Sequence, residues 1–317
     1  MSSSPANTAC QIHRRPLSKR IAMNWQKYLF LVVPVIWVII FRYYPMYGAQ
    51  IAFRKYKIRL GISGSEWVGF ANFIKFFNSY QFNRTVGNTL FLSLVGTAIS
   101  FPLSVFFALM LNTVRRKTWK SAVENVTYMP HFISTVVLVG IMKRILDINT
   151  GIVNNVVESF GVNFQTDLFN GGSNFRWLYI CSSIWQNTGW NSIIYMAALS
   201  GVSSELHEAA TIDGASRWQR VKNIDLPTII PTIVIMLILS AGSVMSIGFD
   251  KAYLMQNDTN LVTSEVISTY VYKVGFLNDG GNLSYSTAIG LFNSVVNLLM
   301  VLLVNAISRK LTNTGIW

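Results

Sequence analysis

The chain has 317 residues, of which 51% are hydrophobic and only 12% are charged. The charged share is about half of that in soluble proteins, which excludes a soluble globular protein and predicts an integral membrane protein. The formal net charge is +13, but the basic residues lie beside apolar segments and form no basic domain, so we also exclude a nucleic-acid-binding protein. The two cysteines are far apart in the sequence and predict neither a disulfide framework nor a metal site.

The residues 1–22 are polar and predict a cytosolic N-terminal tail, which is followed by a transmembrane domain over 23–317. The residues before Cys10 contain no apolar core, so they do not predict a lipoprotein signal. Met23 is an alternative first residue of the protein.

Six apolar runs are long enough to cross the hydrocarbon core of a membrane, for which about 20 residues are needed. The predicted spans are 28–47, 86–112, 123–142, 177–199, 228–248 and 286–307. We therefore expect an all-α polytopic membrane protein with six transmembrane helices. The third and fourth runs carry several polar residues, and we expect Pro34, Pro102 and Pro130 to kink their helices.

The Lys and Arg residues near the ends of the spans predict the orientation of the chain. Fourteen of the 26 lie before the first span, between the second and third spans, in the segment 200–227 or after the sixth span. The other twelve lie on the opposite side, and one long loop there holds six of them: Arg54, Lys55, Lys57, Arg59, Lys75 and Arg84. Because long loops carry little weight in this rule, we expect both termini and the segment 200–227 to face the cytosol.

The segment 200–227 is a polar island between two apolar runs. Its residues predict a first short helix, a turn at Gly214, and a second short helix that Ser216 caps and that runs through Asn223. Leu226 and Pro227 are expected to close this helix and to start the fifth span, because proline suits a first helical turn. We expect this helix–turn–helix to lie at the cytosolic surface. On these residues alone it is either an ordinary amphipathic loop between spans or a structured element that docks on another protein.

The same segment contains the pattern Glu-Ala-Ala-x3-Gly-x9-Ile-x-Leu-Pro. The seven positions of the pattern are Glu208, Ala209, Ala210, Gly214, Ile224, Leu226 and Pro227. This pattern resembles the EAA loop of ABC importer permeases. The stretches "FRYYPMYGAQIAFRKY" and "NTLFLSL" and the segment 284–317 resemble the polysaccharide and complex-oligosaccharide branch of the carbohydrate permeases. The resemblance implies the type I ABC importer permease fold.

The resemblance also implies that the EAA helix inserts into a cleft on a separate ATP-hydrolysing subunit. The docking residues would be Glu208, Ala209, Ala210 and Gly214, with Arg217 and Trp218 as their neighbours. The implied partners are a second homologous permease in a heterodimer, two ABC ATPase subunits, an extracytoplasmic sugar-binding protein or lipoprotein, and a carbohydrate substrate. The implied location is the cytoplasmic membrane of a bacterium.

The sequence has no G-x-x-x-x-G-K-[ST] motif for nucleotide phosphates. We therefore expect ATP and Mg to bind the partner ATPase, and we expect this transport subunit to hold no cofactor and to be no enzyme. His207 and Glu208 are adjacent, but no second histidine follows at the spacing of metal ligands, so no metal site is expected.

The fourth span carries a polar face. Ser183, Gln186, Asn187 and Trp190 recur at helical spacing, and Asn191 lies beside them. Amides can pair with sugar hydroxyls and an indole can stack on a pyranose, so these residues predict a substrate pathway. The alternative is hydrogen bonding between helices, which is common for Asn and Gln in membranes. The resemblance implies that this helix lines the translocation cavity at Gln186, Asn187 and Trp190.

The sixth span carries Asn293 and Asn297, and for this pair hydrogen bonding between helices is the better interpretation.

Two other functions compete with an ABC permease. A secondary carrier for a polar solute needs a charged coupling residue within the bilayer, and the candidates Arg42 and Glu124 lie at the ends of their spans. An integral-membrane enzyme needs a nucleophile, a metal or an acid–base pair, and the sequence offers no such constellation.

Overall fold

The computed structural model describes residues 23–114, 116–160, 167–277, 281–312 and 315–316. The chain divides into two compact units, Met1–Gln50 and Ile51–Trp317.

In the first unit, α1 (Trp25–Val38) continues through a π-helical turn at Ile39–Tyr43 into the short α2 (Tyr44–Met46). The helical segment Trp25–Phe53 is long and apolar enough to cross a membrane, as predicted for the first span.

The second unit contains a two-stranded antiparallel sheet of β1 (Arg54–Lys57) and β2 (Ser65–Trp67). Its helices are α3 (Gly61–Gly64), α4 (Ala71–Phe77), α5 (Tyr80–Asn112), α6 (Lys117–Tyr128), α7 (Thr135–Ile145), α8 (Ile152–Ser159), α9 (Gly172–Leu199), α10 (Ser204–Ile212), α11 (Arg217–Arg220), α12 (Leu226–Ala241), α13 (Phe249–Met255), α14 (Leu261–Ser264), α15 (Ile267–Tyr272) and α16 (Leu283–Thr312).

The hairpin of β1 and β2 corrects the prediction of an all-α chain. The guanidinium of Arg54 donates to the carbonyl of Ser65 at 2.8 Å and lies 5.3 Å from the centre of the Trp67 ring. Phe53 stacks on the same ring at 5.6 Å. Cross-strand pairs of this kind stabilise a sheet, and a segment this short and basic shows no apolar run that would predict its structure.

The long helix α5 contributes to all three apolar clusters of the second unit. It packs along α9, and the clusters lie near both of its ends and at its centre. Leu92 packs with Phe175 and Ile180 in the central cluster. Ala108 packs with Ile229 towards the C-terminal end of α5. These contacts place the start of α12 beside the end of α5.

Among the described residues, four helical segments are long and apolar enough to cross a membrane: Trp25–Phe53, Tyr80–Asn112, Arg217–Ala241 and Leu283–Lys310. The second and sixth predicted spans lie within α5 and α16, and α5 continues through Pro102 without a break. The fourth predicted span lies within α9, a continuous helix whose polar residues keep it outside this set.

The third predicted span, 123–142, is not one straight helix. The segments Lys117–Phe132 and Thr135–Ile145 meet at 97°, and Pro130 lies in the 3₁₀ turn just before the bend. Proline cannot donate the backbone hydrogen bond that a continuous helix needs there. If the bent pair is one span, the described residues hold five candidate spans, and the prediction of six is not reached by length and hydropathy alone.

The fifth span also differs from the prediction of 228–248. Its helix α12 ends at Ala241, and α11 joins its start through a π-helical turn at Val221–Asp225. The second helix of the polar island therefore continues through this turn into the span and is not closed at Leu226. Pro227 occupies the first turn of α12 as predicted, where its missing N–H costs nothing.

Candidate functional site

The helix α10 displays the Glu-Ala-Ala residues of the EAA loop. The Oγ of Ser203 accepts a hydrogen bond from the N–H of Glu205 at 3.2 Å and caps the helix. Glu205 lies in the first turn, where its negative charge favours the positive end of the helix dipole. The side chains of Glu208 and Ala209 are exposed, and Ala210 is half-buried.

The turn after α10 depends on Gly214, whose φ is +78°. The N–H of Ala215 donates to the carbonyl of Ala210 at 2.8 Å, and the N–H of Gly214 donates to the carbonyl of Thr211 at 3.1 Å. This pair of bonds is a Schellman motif, in which a left-handed residue satisfies the last carbonyls of a helix. The turn signal predicted at Gly214 is confirmed.

The helix α11 starts with a capping box, so Ser216 caps it as predicted. The Oγ of Ser216 accepts from the N–H of Gln219 at 3.3 Å, and the Oε1 of Gln219 accepts from the N–H of Ser216 at 2.7 Å. The guanidinium of Arg220 donates to the Oγ1 of Thr211 at 2.8 Å and so connects α11 with α10. The predicted neighbours Arg217 and Trp218 are exposed on α11.

A buried carboxylate connects this loop to the spans, and the sequence analysis missed it. Asp225 is 2% exposed, and its Oδ1 lies 3.1 Å from the Nε2 of His207 on α10. The Nδ2 of Asn112, at the end of α5, donates to the same oxygen at 3.4 Å. The three residues line a cavity of about 390 Å³. The sequence did offer a signal, because Asp225 stands directly before an apolar span. A charge that is buried at such a position needs a partner.

The polar face predicted on α9 divides into two parts. Ser183, Asn187 and Asn191 line a cavity of about 260 Å³ between α9, α5 and the chain after α12. The opposite wall of this cavity is polar and small, with Ser93, Gly96, Thr97, Ser100, Ser243 and Ser246. This arrangement offers hydroxyls and amides to a polar solute.

Gln186 and Trp190 contact the bend between α6 and α7 in the same chain. The Nε2 of Gln186 donates to the carbonyl of Ile133 at 3.0 Å. Trp190 stacks on His131 with the rings 4.4 Å apart and 4° from parallel. The Nδ1 of His131 also lies 3.0 Å from the Oδ1 of Asn187. These contacts are those of the structural alternative, although Trp190 remains 41% exposed.

Lys251 is a buried cation that contacts the polar face of α9 at Ser183. Its Nζ donates to the Oγ of Ser183 at 2.8 Å and lies 5.1 Å from the centre of the Tyr179 ring. Among the described residues, no carboxylate forms an ion pair with it. Burial lowers the pKa of Lys251 to about 8. The sequence analysis missed this residue, which lies in the first turn of α13.

Asn297 connects the sixth span to the turn that follows α12, and not to another helix as was predicted. Its Oδ1 accepts from the N–H of Met245 at 2.8 Å, and its Nδ2 donates to the Oγ of Ser246 at 2.8 Å. The first bond satisfies a backbone N–H that lies beyond the end of α12, as is needed at membrane depth. Asn293 forms no such bond among the described residues, and its buried Oδ1 has no hydrogen-bond partner there.

Membrane-spanning helices, a polar cavity among them and a capped, exposed loop at one end define the membrane component of a transport system. A family model described as the inner membrane component of binding-protein-dependent transport systems matches residues 100–313. The chain belongs to this family, whose members are ABC transporter permeases and not enzymes.

Relatives and solved structures agree with this membership. The chain is 41% identical to the polygalacturonan/rhamnogalacturonan transport system permease protein YteP of Bacillus subtilis, over 96% of each chain. It is 39% identical to the protein LplB of the same organism, over 92% of this chain and 90% of LplB. A chain in the crystal structure of a bacterial ABC transporter involved in the import of the acidic polysaccharide alginate matches with a TM-score of 0.85 and 38% identity, over 93% of this chain and 99% of that chain. The fold is therefore that of an ABC importer permease.

Proposed function

We propose that this chain is the permease subunit of a bacterial ABC importer that carries an oligosaccharide or a polysaccharide fragment into the cell. ATP hydrolysis on a separate subunit drives the transport, and ATP and Mg bind that subunit. The observation that carries the proposal is the EAA loop, which forms a capped helix and a Schellman turn with its Glu-Ala-Ala residues accessible. The sugar relatives support the substrate class.

The loop docks on the ATPase through Glu208, Ala209, Ala210 and Gly214, with Arg217 and Trp218 beside them. Small side chains at the alanines admit the helix to a cleft, while the capping bonds and the Arg220–Thr211 bond hold its shape. A rigid loop loses little conformational entropy when it docks, which favours binding. Both termini and the loop face the cytosol, in agreement with the Lys and Arg bias.

The complete domain has six spans, with α9 as the fourth and the bent pair of α6 and α7 as the third. The cavity of Ser183, Asn187 and Asn191 belongs to the substrate pathway. Gln186 and Trp190 hold the adjacent bend, from which His131 contacts Asn187. The assembly contains a second, homologous permease, two ATPase subunits and an extracytoplasmic sugar-binding protein. A related alginate transporter has been crystallised with a periplasmic protein that holds an alginate pentasaccharide.

The test is ATP hydrolysis by the assembled transporter in proteoliposomes, with a sugar-loaded binding protein added. We expect sugar-dependent stimulation in the wild type and its loss in Glu208→Lys, which reverses a charge on the docking helix. Glu158→Lys is the matched control, because Glu158 is exposed on α8, away from the loop. Normal stimulation in Glu208→Lys would contradict the docking assignment, and no stimulation by any glycan would contradict the transport function.

A further inference from the structure

A large groove lies at the end of α5 that is remote from the EAA loop. Its volume is about 1180 Å³, and it is formed by β1 and the turn after it, by α4, and by the starts of α5 and α16. Ligand sites for small molecules have volumes of roughly 300–1,000 Å³, so this groove has room for a chain of several sugar units.

The charged residues that line the groove are all positive among the described residues. Four of the described residues that line it are cations, Lys55, Lys57, Arg59 and Lys75, and none is a carboxylate. All four are exposed, and none forms an ion pair among the described residues. Clustered cations in a concave surface focus a positive potential and attract anions.

The uncharged part of the lining has the chemistry of a sugar site. Tyr56, Tyr270 and Tyr285 supply aromatic rings, and Asn72 and Gln81 supply amides. The Nζ of Lys75 lies 4.9 Å from the centre of the Tyr285 ring, so cationic and aromatic groups are adjacent.

The walls of the groove are connected to the body of the unit. The N–H of Tyr56 donates to the Oγ of Ser284 at 2.8 Å, which joins the hairpin to α16. The Nδ2 of Asn72 on α4 donates to the carbonyl of Ala52 at 2.8 Å. The groove is thus preformed, which lowers the entropic cost of binding a ligand.

The groove and the EAA loop lie at opposite ends of α5. The helix α5 has 33 residues, so its ends are about 50 Å apart, more than the thickness of a bilayer core. Gln81 at the start of α5 lines the groove, and Asn112 at its end contacts the EAA loop. The groove therefore opens on the membrane face opposite the loop. Membrane topology favours cations on the cytosolic side, so it does not explain a cluster of four on the outer side.

We propose that this groove binds an acidic oligosaccharide, a sugar chain that carries carboxylates, on the outer face before translocation. The cations pair with the carboxylates, Tyr56 and Tyr270 stack on the rings, and the amides bind hydroxyls. The proposal rests on the proposed function and narrows its substrate class to anionic glycans. An acidic surface of a partner protein is the competing occupant, but a concave groove lined by cations, tyrosines and amides fits a narrow sugar chain better than a flat protein surface.

The test uses the complete transporter in lipid nanodiscs, without the binding protein. The probe is fluorescent tetragalacturonate, and its affinity is measured at two salt concentrations. The groove variant is Lys57→Gln/Arg59→Gln, and the matched control is Lys143→Gln/Arg144→Gln, which removes the same two charges outside the groove. Lys75→Gln is a second groove variant on a different element.

We expect the groove variants to weaken tetragalacturonate binding about three- to tenfold, with a smaller salt dependence, while the control binds like the wild type. A neutral tetragalactoside should bind at least tenfold more weakly than tetragalacturonate. Wild-type affinity in both groove variants would overturn the proposal. A second titration adds the binding protein to the same nanodiscs, and a loss of affinity for it in the groove variants, with tetragalacturonate binding unchanged, would overturn the proposal and assign the groove to a protein partner.

These outcomes separate the inference from the proposed function. If a loaded binding protein still stimulates ATP hydrolysis and the groove variants bind the probe normally, the groove assignment fails alone. If no glycan stimulates ATP hydrolysis, the proposed function fails.

Discussion

At the scale of single residues, Asp225 is the charge that connects the EAA loop to the spans. Its carboxylate has contacts with His207 on α10 and Asn112 on α5, so it lies where movement of the loop reaches two other helices. Asp225→Asn keeps the volume and removes the charge. We expect a loss of about 1.5–3 kcal/mol from the local interaction, and weaker coupling of ATP hydrolysis to sugar uptake.

The measurement for Asp225→Asn is the number of ATP molecules hydrolysed per sugar transported. Asp258→Asn is the control, since Asp258 is an exposed carboxylate outside the loop. Equal ratios in the two variants would show that Asp225 has no part in coupling.

Substitutions at Gly214 test whether the loop needs the left-handed backbone conformation of its turn. No atom lies within 4 Å of a Cβ built at this position, so a side chain fits and only the φ of +78° opposes it. Gly214→Val should cost about 1–3 kcal/mol in the loop and abolish sugar-stimulated ATP hydrolysis. Gly214→Asn should retain most of the stimulation, because Asn tolerates the left-handed region. If both variants lose the stimulation, the added side chain and not the left-handed turn is responsible; if both retain it, the turn does not need glycine.

The two parts of the polar face on α9 can also be separated by single substitutions. Asn191→Leu changes the cavity, so we expect slower sugar uptake with an unchanged yield of the complex. Gln186→Leu leaves the carbonyl of Ile133 without its donor and should lower the yield first, since an unsatisfied buried group costs about 1–3 kcal/mol. Normal uptake with intact assembly in Asn191→Leu would remove this residue from the pathway.

At the scale of elements, α6 and α9 approach each other at Gly189. A Cβ at Gly189 would lie 2.3 Å from the carbonyl oxygen of Thr127, which belongs to the backbone and cannot rotate away. Gly189→Ala should therefore separate the two helices and destabilise the transporter by about 1–3 kcal/mol. Gly290→Ala is the control, because its Cβ would meet no atom within 4 Å in α16. The melting temperatures of the two variants provide the comparison, and an equal value for both would contradict the close approach.

The sequence predicted those elements that local chemistry determines. The apolar runs gave the positions of α5 and α16, and cap and turn residues gave the start of α11 and the turn at Gly214. The 97° bend after Pro130 was predicted only as a kink, because its angle depends on contacts of His131 and Ile133 with α9. Periodicity has no information on such contacts between distant segments.

Contacts between distant segments also limited the prediction of the polar site on α9. Helical spacing placed Ser183, Asn187 and Asn191 near one another, and they do line one cavity. It did not reveal Lys251, which reaches Ser183 from 68 positions away along the chain. Buried polar contacts between distant residues depend on the tertiary fold, so they need a structure to be seen.

At the scale of the whole molecule, the cavity on α9 is too small for the proposed cargo. Its volume of about 260 Å³ lies below the roughly 300–1,000 Å³ of sites for small ligands, and an oligosaccharide needs more. A second permease that faces α9 would enlarge and close this space. We therefore expect one copy of this chain, one homologous permease and two ATPase subunits in the working transporter. Native mass spectrometry of the purified, transport-active complex measures this composition directly. An active complex with two copies of this chain and no other permease would contradict the heterodimer and require the cavity to form between identical α9 helices.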